Sequence, residues 1–291
     1  AGADGTALRD RGHYRPVTTE RLYLTRLGDT EIARVRVTDP AAGVQWDRSV
    51  FFLPDLPCWV VIDAALALRD AERTFGLLWW TTDVLARGPA WVDTHVASVQ
   101  GWQNATDAAL RIYTPDVPGQ ALTRTEARDR RAFHDETLLS SLHAGGQAAG
   151  QFTNFVTVLW PHAYALPEDA DAPAVEVVPS EPAGRGLAVR LGWQGTSRLL
   201  AAANDLSAGR LAEDVRPRYA FEQGRAAYGP LVTDAAFAVV DEGAGWAGFI
   251  NGTRLDFAGK TLYAGLPHAM FQEDRTDRPG VPARFRWTGR L

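Results

Sequence analysis

Three side chains that trade protons or hold a carboxylate stand in a row in "DRGHYRP": His13, Tyr14 and Arg15. Histidine and tyrosine serve as general acid and base, and arginine neutralises a carboxylate, so the trio suits proton abstraction beside a carboxyl group. Neighbours in an extended chain point to opposite faces, so His13 and Tyr14 need a bend to reach one substrate; otherwise the segment is a solvated chain end. His162, just past the strand-like "FVTVLWP", is the other catalytic candidate, at a cleft rim or merely exposed where a strand ends. The six histidines (His13, His95, His134, His143, His162, His268) include no pair at HExxH or zinc-finger spacing. Cys58 is the only cysteine, which excludes an intramolecular disulfide and a cysteine-based zinc cluster.

Flat aromatic faces grip the apolar side of a sugar ring, and ten tryptophans are many for this length. Trp46, Trp80 and Trp102 are the substrate-binding candidates, and Trp91 and Trp193, near turn-like residues, are further platforms. Filling the core is the competing role for each, because large aromatics dominate core burial. Arg124, Arg128, Arg130 and Arg131 offer guanidinium groups to an acidic sugar. Glu126, Asp129, Asp135 and Glu136 lie among them and nearly cancel the charge, as in a solvated loop. The sequence holds no phosphate loop, dinucleotide fingerprint or GxSxG elbow.

The elements that must position these groups read as strands. "WDRSVFFLPDLPCWVVIDAA" (46–65) carries two apolar runs split by Pro54-Asp55-Leu56-Pro57, the pattern of a hairpin. A turn centred between Asp55 and Leu56 sets Arg48 opposite Asp63, so the structural roles assigned to Arg48 and Asp63 are those of a cross-strand ion pair; a one-residue slip in register would leave two unrelated strand-end charges instead. The runs do not alternate with polar residues, so both faces of the hairpin are expected to be covered. Further strand-like segments are 21–27, 31–38, 74–81, 109–113, 138–143 and 152–160, then 187–193, 198–203, 236–240 and 245–257. Asn251-Gly252, between β-type runs, is the strongest short hairpin signal. "LTRTEARDRRAFHDE" (122–136) has no apolar stripe and reads as a charged loop. The expected fold is all-β, a large antiparallel multi-stranded β-sandwich with room for more than two layers. Residues 1–20 read as an N-terminal extension and 21–291 as the sandwich domain, with a Pro-rich connector near 161–182.

Composition narrows the class. A chain of 291 residues with 46% hydrophobic and 22% charged residues is globular, and no apolar stretch approaches the roughly 18 residues that span a bilayer. The net charge of −5 gives no nucleic-acid footprint. The start, "AGADG", lacks the basic and apolar segments of a signal peptide, so a leader is expected to have been removed or the chain cut there. Asn104 and Asn251 fit the glycosylation sequon, which matters only in a eukaryotic secretory setting.

"WDRSVFFLPDLPCWVVID", followed by "TFGLLWW" and "NFVTVLWPH", resembles the C-terminal β-sandwich of heparinase II/III-like polysaccharide lyases. That pattern has an arginine opening a strand, an apolar hairpin, a run ending on aspartate and a later strand ending in proline. Arg48, Trp59, Val61, Asp63 and Pro161 match it, and "GDTEIARVRVTDP" and "FINGTRLDFAGKTLY" sit where the family has similar strands. The likeness spans about residues 20 to 265, and the order of its motifs carries it. The family's helical toroid, which lends an asparagine, a histidine and a tyrosine to the cleft, is missing from this sequence, as is the His-Asn-Thr tripeptide that opens its sandwich. Relatives that hold zinc have a histidine just before the motif arginine, where this chain has Trp46 and Asp47.

The resemblance implies β-elimination on a uronate-containing polysaccharide, with a helical toroid domain or chain as partner and a secreted or periplasmic setting. It implies no organic cofactor; zinc or calcium is supported by no motif, and neither nucleic acid nor a membrane is an expected partner. A non-catalytic carbohydrate-binding or assembly module is the alternative, marked by coplanar exposed tryptophans without convergent titratable groups. A self-contained all-β enzyme is a third, and needs a cleft holding a perturbed histidine, tyrosine or carboxylate.

Overall fold

Apolar residues recur at period two or in short unbroken runs, and strands are what form. The structure, a computed structural model, describes residues 17–95, 108–131, 134–164, 171–205, 224–265 and 286–291. Among them the strands are β1 (Thr18–Leu27), β2 (Thr30–Asp39), β3 (Val44–Leu53), β4 (Cys58–Ala67), β5 (Ala71–Thr81), β6 (Asp83–Arg87) and β7 (Trp91–His95). Then come β8 (Ala108–Tyr113), β9 (Thr123–Arg131), β10 (His134–Gln147), β11 (Phe152–Ala163), β12 (Ala174–Pro179), β13 (Gly186–Trp193) and β14 (Thr196–Ala203). The last are β15 (Ala226–Tyr228), β16 (Leu231–Thr233), β17 (Phe237–Asp241), β18 (Trp246–Ile250), β19 (Arg254–Phe257), β20 (Lys260–Ala264) and β21 (Arg286–Arg290). The fold is all-β, its sheets ordered β1-β2-β3-β4-β11-β8-β7-β6, β5-β10-β9, β12-β13-β14-β17-β18-β21 and β15-β16-β19-β20.

The chain divides into two compact units: one holds Arg36–Arg48 and Pro57–Ala172, the other Arg21–Val35, Ser49–Leu56 and Pro173–Leu291. In the first unit, β4, β11, β8, β7 and β6 lie side by side, and β5-β10-β9 forms a second sheet. Its core joins Ala65, Phe75, Leu77 and Phe155, with Trp46, Trp79 and Leu122 packed against them. Val60 to Ala65 on β4 are buried at every position, so both faces of that strand are covered, as its unbroken apolar run implied. Trp59, at the start of β4, is exposed.

The second unit has three layers around its six-stranded sheet. Phe237 on β17 meets Tyr23 and Phe51 edge-on from one side, at centroid distances of 5.1 and 5.8 Å. Ala238 and Val240, on the opposite face of β17, join Leu199, Phe249, Tyr228, Leu231 and Leu255 in a core shared with the four-stranded sheet. Each fully buried Phe or Leu contributes about 1.5–3 kcal/mol, so a sheet covered on both faces anchors this unit.

Two readings of the sequence need correction. Asn251-Gly252 is no hairpin: β18 pairs with β17 and β21, whereas β19 pairs with β16 and β20, so the chain changes sheets there. Asn251 takes φ 51° and donates its side-chain amide to the Tyr23 hydroxyl at 2.7 Å. A Cβ at Gly252 would collide with Ala235 and Asp234. The tight turn falls at Ala258-Gly259, both at positive φ, joining β19 to β20 as a primed turn requires. Within the charged stretch, 123–131 and 134–136 are likewise strand: β9 and β10 pair antiparallel, Ser141 opposite Arg124 and Leu139 opposite Glu126. Its polar residues occupy strand positions near a sheet edge, so neither period carried an apolar signal.

Candidate functional site

The first unit concentrates chemistry on β7, β8 and β11. Arg111 on β8 stands directly between Asp93 on β7 and Trp160 on β11. Arg111 donates Nε to Asp93 Oδ1 at 2.9 Å and Nη2 to Oδ2 at 2.8 Å, a two-pronged match of planar groups. Its guanidinium carbon lies 3.9 Å from the Trp91 ring centre and 5.7 Å from that of Trp160. Burial pulls the Arg111 guanidinium down, but the bonds to Asp93 and Tyr113 outweigh it and hold it above its ordinary value.

His162, opposite Ala109, places Nε2 3.1 Å from Asp93 Oδ1 and Nδ1 2.7 Å from the Ala163 carbonyl. Both ring nitrogens therefore lie within hydrogen-bond distance of an oxygen. Asp93, Arg111 and His162 are all buried. His95, also buried, packs its ring 4.3 Å from that of Tyr164, and neither of its nitrogens has a hydrogen-bond partner among the described residues. The side chains of Asp93, Arg111 and His162 are enclosed, and His162 contacts Asp93 instead of standing exposed at a rim.

The charges bracketing the apolar hairpin meet. Arg48 donates Nε to Asp63 Oδ1 at 2.8 Å and Nη2 to Oδ2 at 3.2 Å, and Trp46 donates its indole N–H to the same Oδ1 at 2.7 Å. The Asp63 side chain is 0% exposed and that of Arg48 37%. Burial pushes the Asp63 carboxyl up, and the bonds from Arg48 and Trp46 offset this only in part. Trp46 stacks on Phe155 at 5.6 Å and meets Phe75 edge-on, so its ring faces are used in the core. Trp80 lies opposite Leu138 on β10, half-buried. His13, Tyr14 and Trp102 lie outside the described residues.

An open cleft of about 190 Å3 lies where the two sheets of the first unit part at their edge. Arg87, Trp91 and Thr114 line one wall, and Arg124, Glu126 and Ser141 the other. Arg87 donates Nε and Nη2 to Glu126 at 2.8 and 2.5 Å, while Arg124 donates Nε to the Thr114 carbonyl and Nη2 to Asp116, both at 2.7 Å. Arg87 holds the Glu126 carboxyl below its usual range, with Arg128 adding to the effect. Arg87, Asp93 and Arg111 were not singled out from the sequence. Their signal was the alternation Trp91-x-Asp93-x-His95 and Arg111-x-Tyr113, which places polar groups on one face of paired strands. No cluster of three metal-ligating side chains occurs among the described residues.

No protein-family model and no curated protein matches the sequence. Solved structures that match include a heparan sulfate lyase HepC from Pedobacter heparinus, at 14% identity over 66% of this chain and 30% of that one, TM-score 0.44. Another is a heparinase III, the BT4657 gene product, at 14% identity over 65% of this chain and 30% of that one, TM-score 0.45. This chain spans about 30% of the length of each of these two proteins.

Proposed function

We propose that this chain is the β-sandwich part of a polysaccharide lyase acting by β-elimination on a uronate-containing polysaccharide, with helical catalytic elements supplied outside these residues. The observation that carries the reading is the first-unit cleft, where Arg87 and Arg124 stand beside Trp91 and serine hydroxyls. A guanidinium has five N–H donors, and each of these arginines spends Nε and Nη2 within the protein, leaving Nη1 for a ligand carboxylate. With Arg128 the local arginines outnumber Glu126 and Asp116, so the field favours an anion. The order of the strand motifs, which resembles that of heparinase II/III-like lyases, supports the same reading.

In elimination, a base takes the proton beside the uronate carboxylate, the bond to the leaving glycosidic oxygen breaks, and an acid protonates that oxygen. The cleft arginines neutralise the carboxylate and fix the polymer; acid and base come from elsewhere. A carbohydrate-binding module without catalysis is the second reading, favoured by the enclosure of His162 and Asp93.

The test titrates the chain with polygalacturonate and heparan sulfate, then follows ultraviolet absorbance of the unsaturated product with and without a toroid partner. Arg87→Ala with Arg124→Ala is expected to weaken binding at least about tenfold, and absorbance is expected to grow only with the partner. Binding without elimination under both conditions would select the module; no binding to either polymer would overturn both readings.

A further inference from the structure

We propose that a second cleft, within the second unit, binds an amino sugar, with the pyranose against Trp193 and its ammonium group toward Asp55. The cleft measures about 220 Å3 and is lined by Trp193, Gln194, Thr196, Arg198, Asp55 and Asp241 among others. Strand register builds it. Leu191, Arg198 and Asp241 lie in one row across β13, β14 and β17, and Trp193 pairs with Thr196 at the end of the β13–β14 ladder. Side chains two apart share a face, so Trp193 and Arg198 project to the same side of the sheet. The apolar face running through Leu187, Val189 and Leu191 thus ends in an aromatic ring beside a charged cluster.

The charge here is opposite to that of the first cleft. Arg198 donates Nη1 and Nη2 to Asp55 at 2.9 and 2.7 Å and also bonds Asp241; Asp29 lies 3.8 Å away. Three carboxylates surround one guanidinium. Asp241 is committed, since its other oxygen accepts the Ala244 amide at 2.7 Å. Asp55 is 54% exposed and lines the cleft, so a ligand ammonium group can approach its carboxylate from the solvent side. Although burial acts to raise its carboxyl, the bonds and charge of Arg198, with backbone amides of Asp55 and Leu56, outweigh it and hold Asp55 below the usual carboxylate range, ionised at neutral pH.

Gln194 stands at the mouth of this cleft with φ 47°, followed by Gly195 at φ 79°. This two-residue primed turn favours Asn or Gly at its first position, so the glutamine there is a local misfit. Its exposed amide is placed for sugar hydroxyls. A concave site with one aromatic wall and a few converging polar groups is the form small-ligand sites take, and the carboxylate excess selects a cationic ring over a uronate.

The inference is independent of the lyase reading: amino-sugar binding and elimination fail separately, since the residues involved lie in different units. The experiment is isothermal titration of the full chain with a fully deacetylated glucosamine tetramer at about pH 6, where the amine is charged, with cellotetraose and tetragalacturonate alongside. Saturable binding of the amino tetramer is expected, weaker binding of cellotetraose, and a loss of about tenfold in Trp193→Ala and in Asp55→Asn. Gln194→Gly suits the positive φ, and its denaturation midpoint, measured alongside, separates reduced binding from unfolding. The proposal is overturned if the amino tetramer does not bind, binds no tighter than tetragalacturonate, or binds equally well to Trp193→Ala and Gln194→Gly.

Discussion

The two clefts are built alike and charged oppositely. Each opens at the end of a layered β unit, where side chains that would continue the core give way to a tryptophan and arginine–carboxylate pairs. In the first unit Arg87, Arg124 and Arg128 outnumber their carboxylate partners; in the second Asp29, Asp55 and Asp241 surround Arg198 alone. The difference lies in which sign is left over once every buried charge is paired. Pairing is what permits the burial, since an unpaired buried charge costs several kcal/mol, and the remainder at the mouth is then free to select a ligand.

The sharpest way to break this comparison is to remove pairing inside each unit. Arg111→Leu leaves Asp93 as a buried carboxylate whose remaining side-chain contact in the row is His162, and is expected to cost about 3–5 kcal/mol in chemical denaturation. The double change Arg111→Leu with Asp93→Leu should cost less than Arg111→Leu alone; equal or greater cost would show that the row acts through packing with Trp91 and Trp160 instead. Trp46→Phe comes next. It keeps the stack on Phe155 but removes the indole donor from a fully buried Asp63, and is expected to cost about 1–3 kcal/mol. A loss no larger than that of an ordinary surface change would place that carboxylate under the control of Arg48 alone.

Much of this architecture was legible. Unbroken apolar runs gave the doubly covered β4, and charge placement along the hairpin gave the Arg48–Asp63 pair. What stayed hidden is polar and non-local. β9 alternates Thr, Arg, Thr and Glu, a strand that offers no apolar face because it borders a cleft, so period two went unread. The Asp93–Arg111–His162 row joins residues 18 to 69 positions apart, and only the strand order brings them together. Asn251-Gly252 has the right chemistry for a hairpin, yet Tyr23, more than two hundred residues away, binds Asn251 while the chain changes sheets. Local turn propensity does not say which sheet the next strand joins.

Acid separates the units with a smaller effect. Asp55 is held below 3.8, so the folded state binds fewer protons there than the unfolded chain; its contribution is present above that value and lost as pH falls through the folded one. Asp63 is held above 3.8, so the folded state takes up its proton first, and its contribution runs the other way, falling as pH rises through the raised value. Stability measured from neutral pH down to about pH 3 should therefore fall less steeply in Asp55→Asn than in the parent chain, and more steeply in Asp63→Asn. Because Asp55 is half exposed and screened, its share is expected to stay below about 1 kcal/mol. Slopes of the same sign in both variants would dissolve the distinction.

The smallest effect tests whether Gln194 is kept for binding. Ala258 and Gln194 occupy the same position of two primed turns in the second unit, at φ 49° and 47°, each followed by a glycine. Glycine at either site removes the steric strain of a left-handed residue, against a small loss from the greater freedom of the unfolded chain. Ala258→Gly and Gln194→Gly should each raise the denaturation midpoint by a similar amount, equivalent to a few tenths of a kcal/mol up to about 1 kcal/mol. Only Gln194→Gly should also weaken amino-sugar binding, because Ala258 does not line the cleft. Matching gains in stability with a loss of binding confined to Gln194→Gly would mean that the strain at one turn serves a ligand. If Gln194→Gly destabilised the chain while Ala258→Gly stabilised it, the glutamine side chain would be holding the turn itself, and its place at the cleft mouth would be incidental.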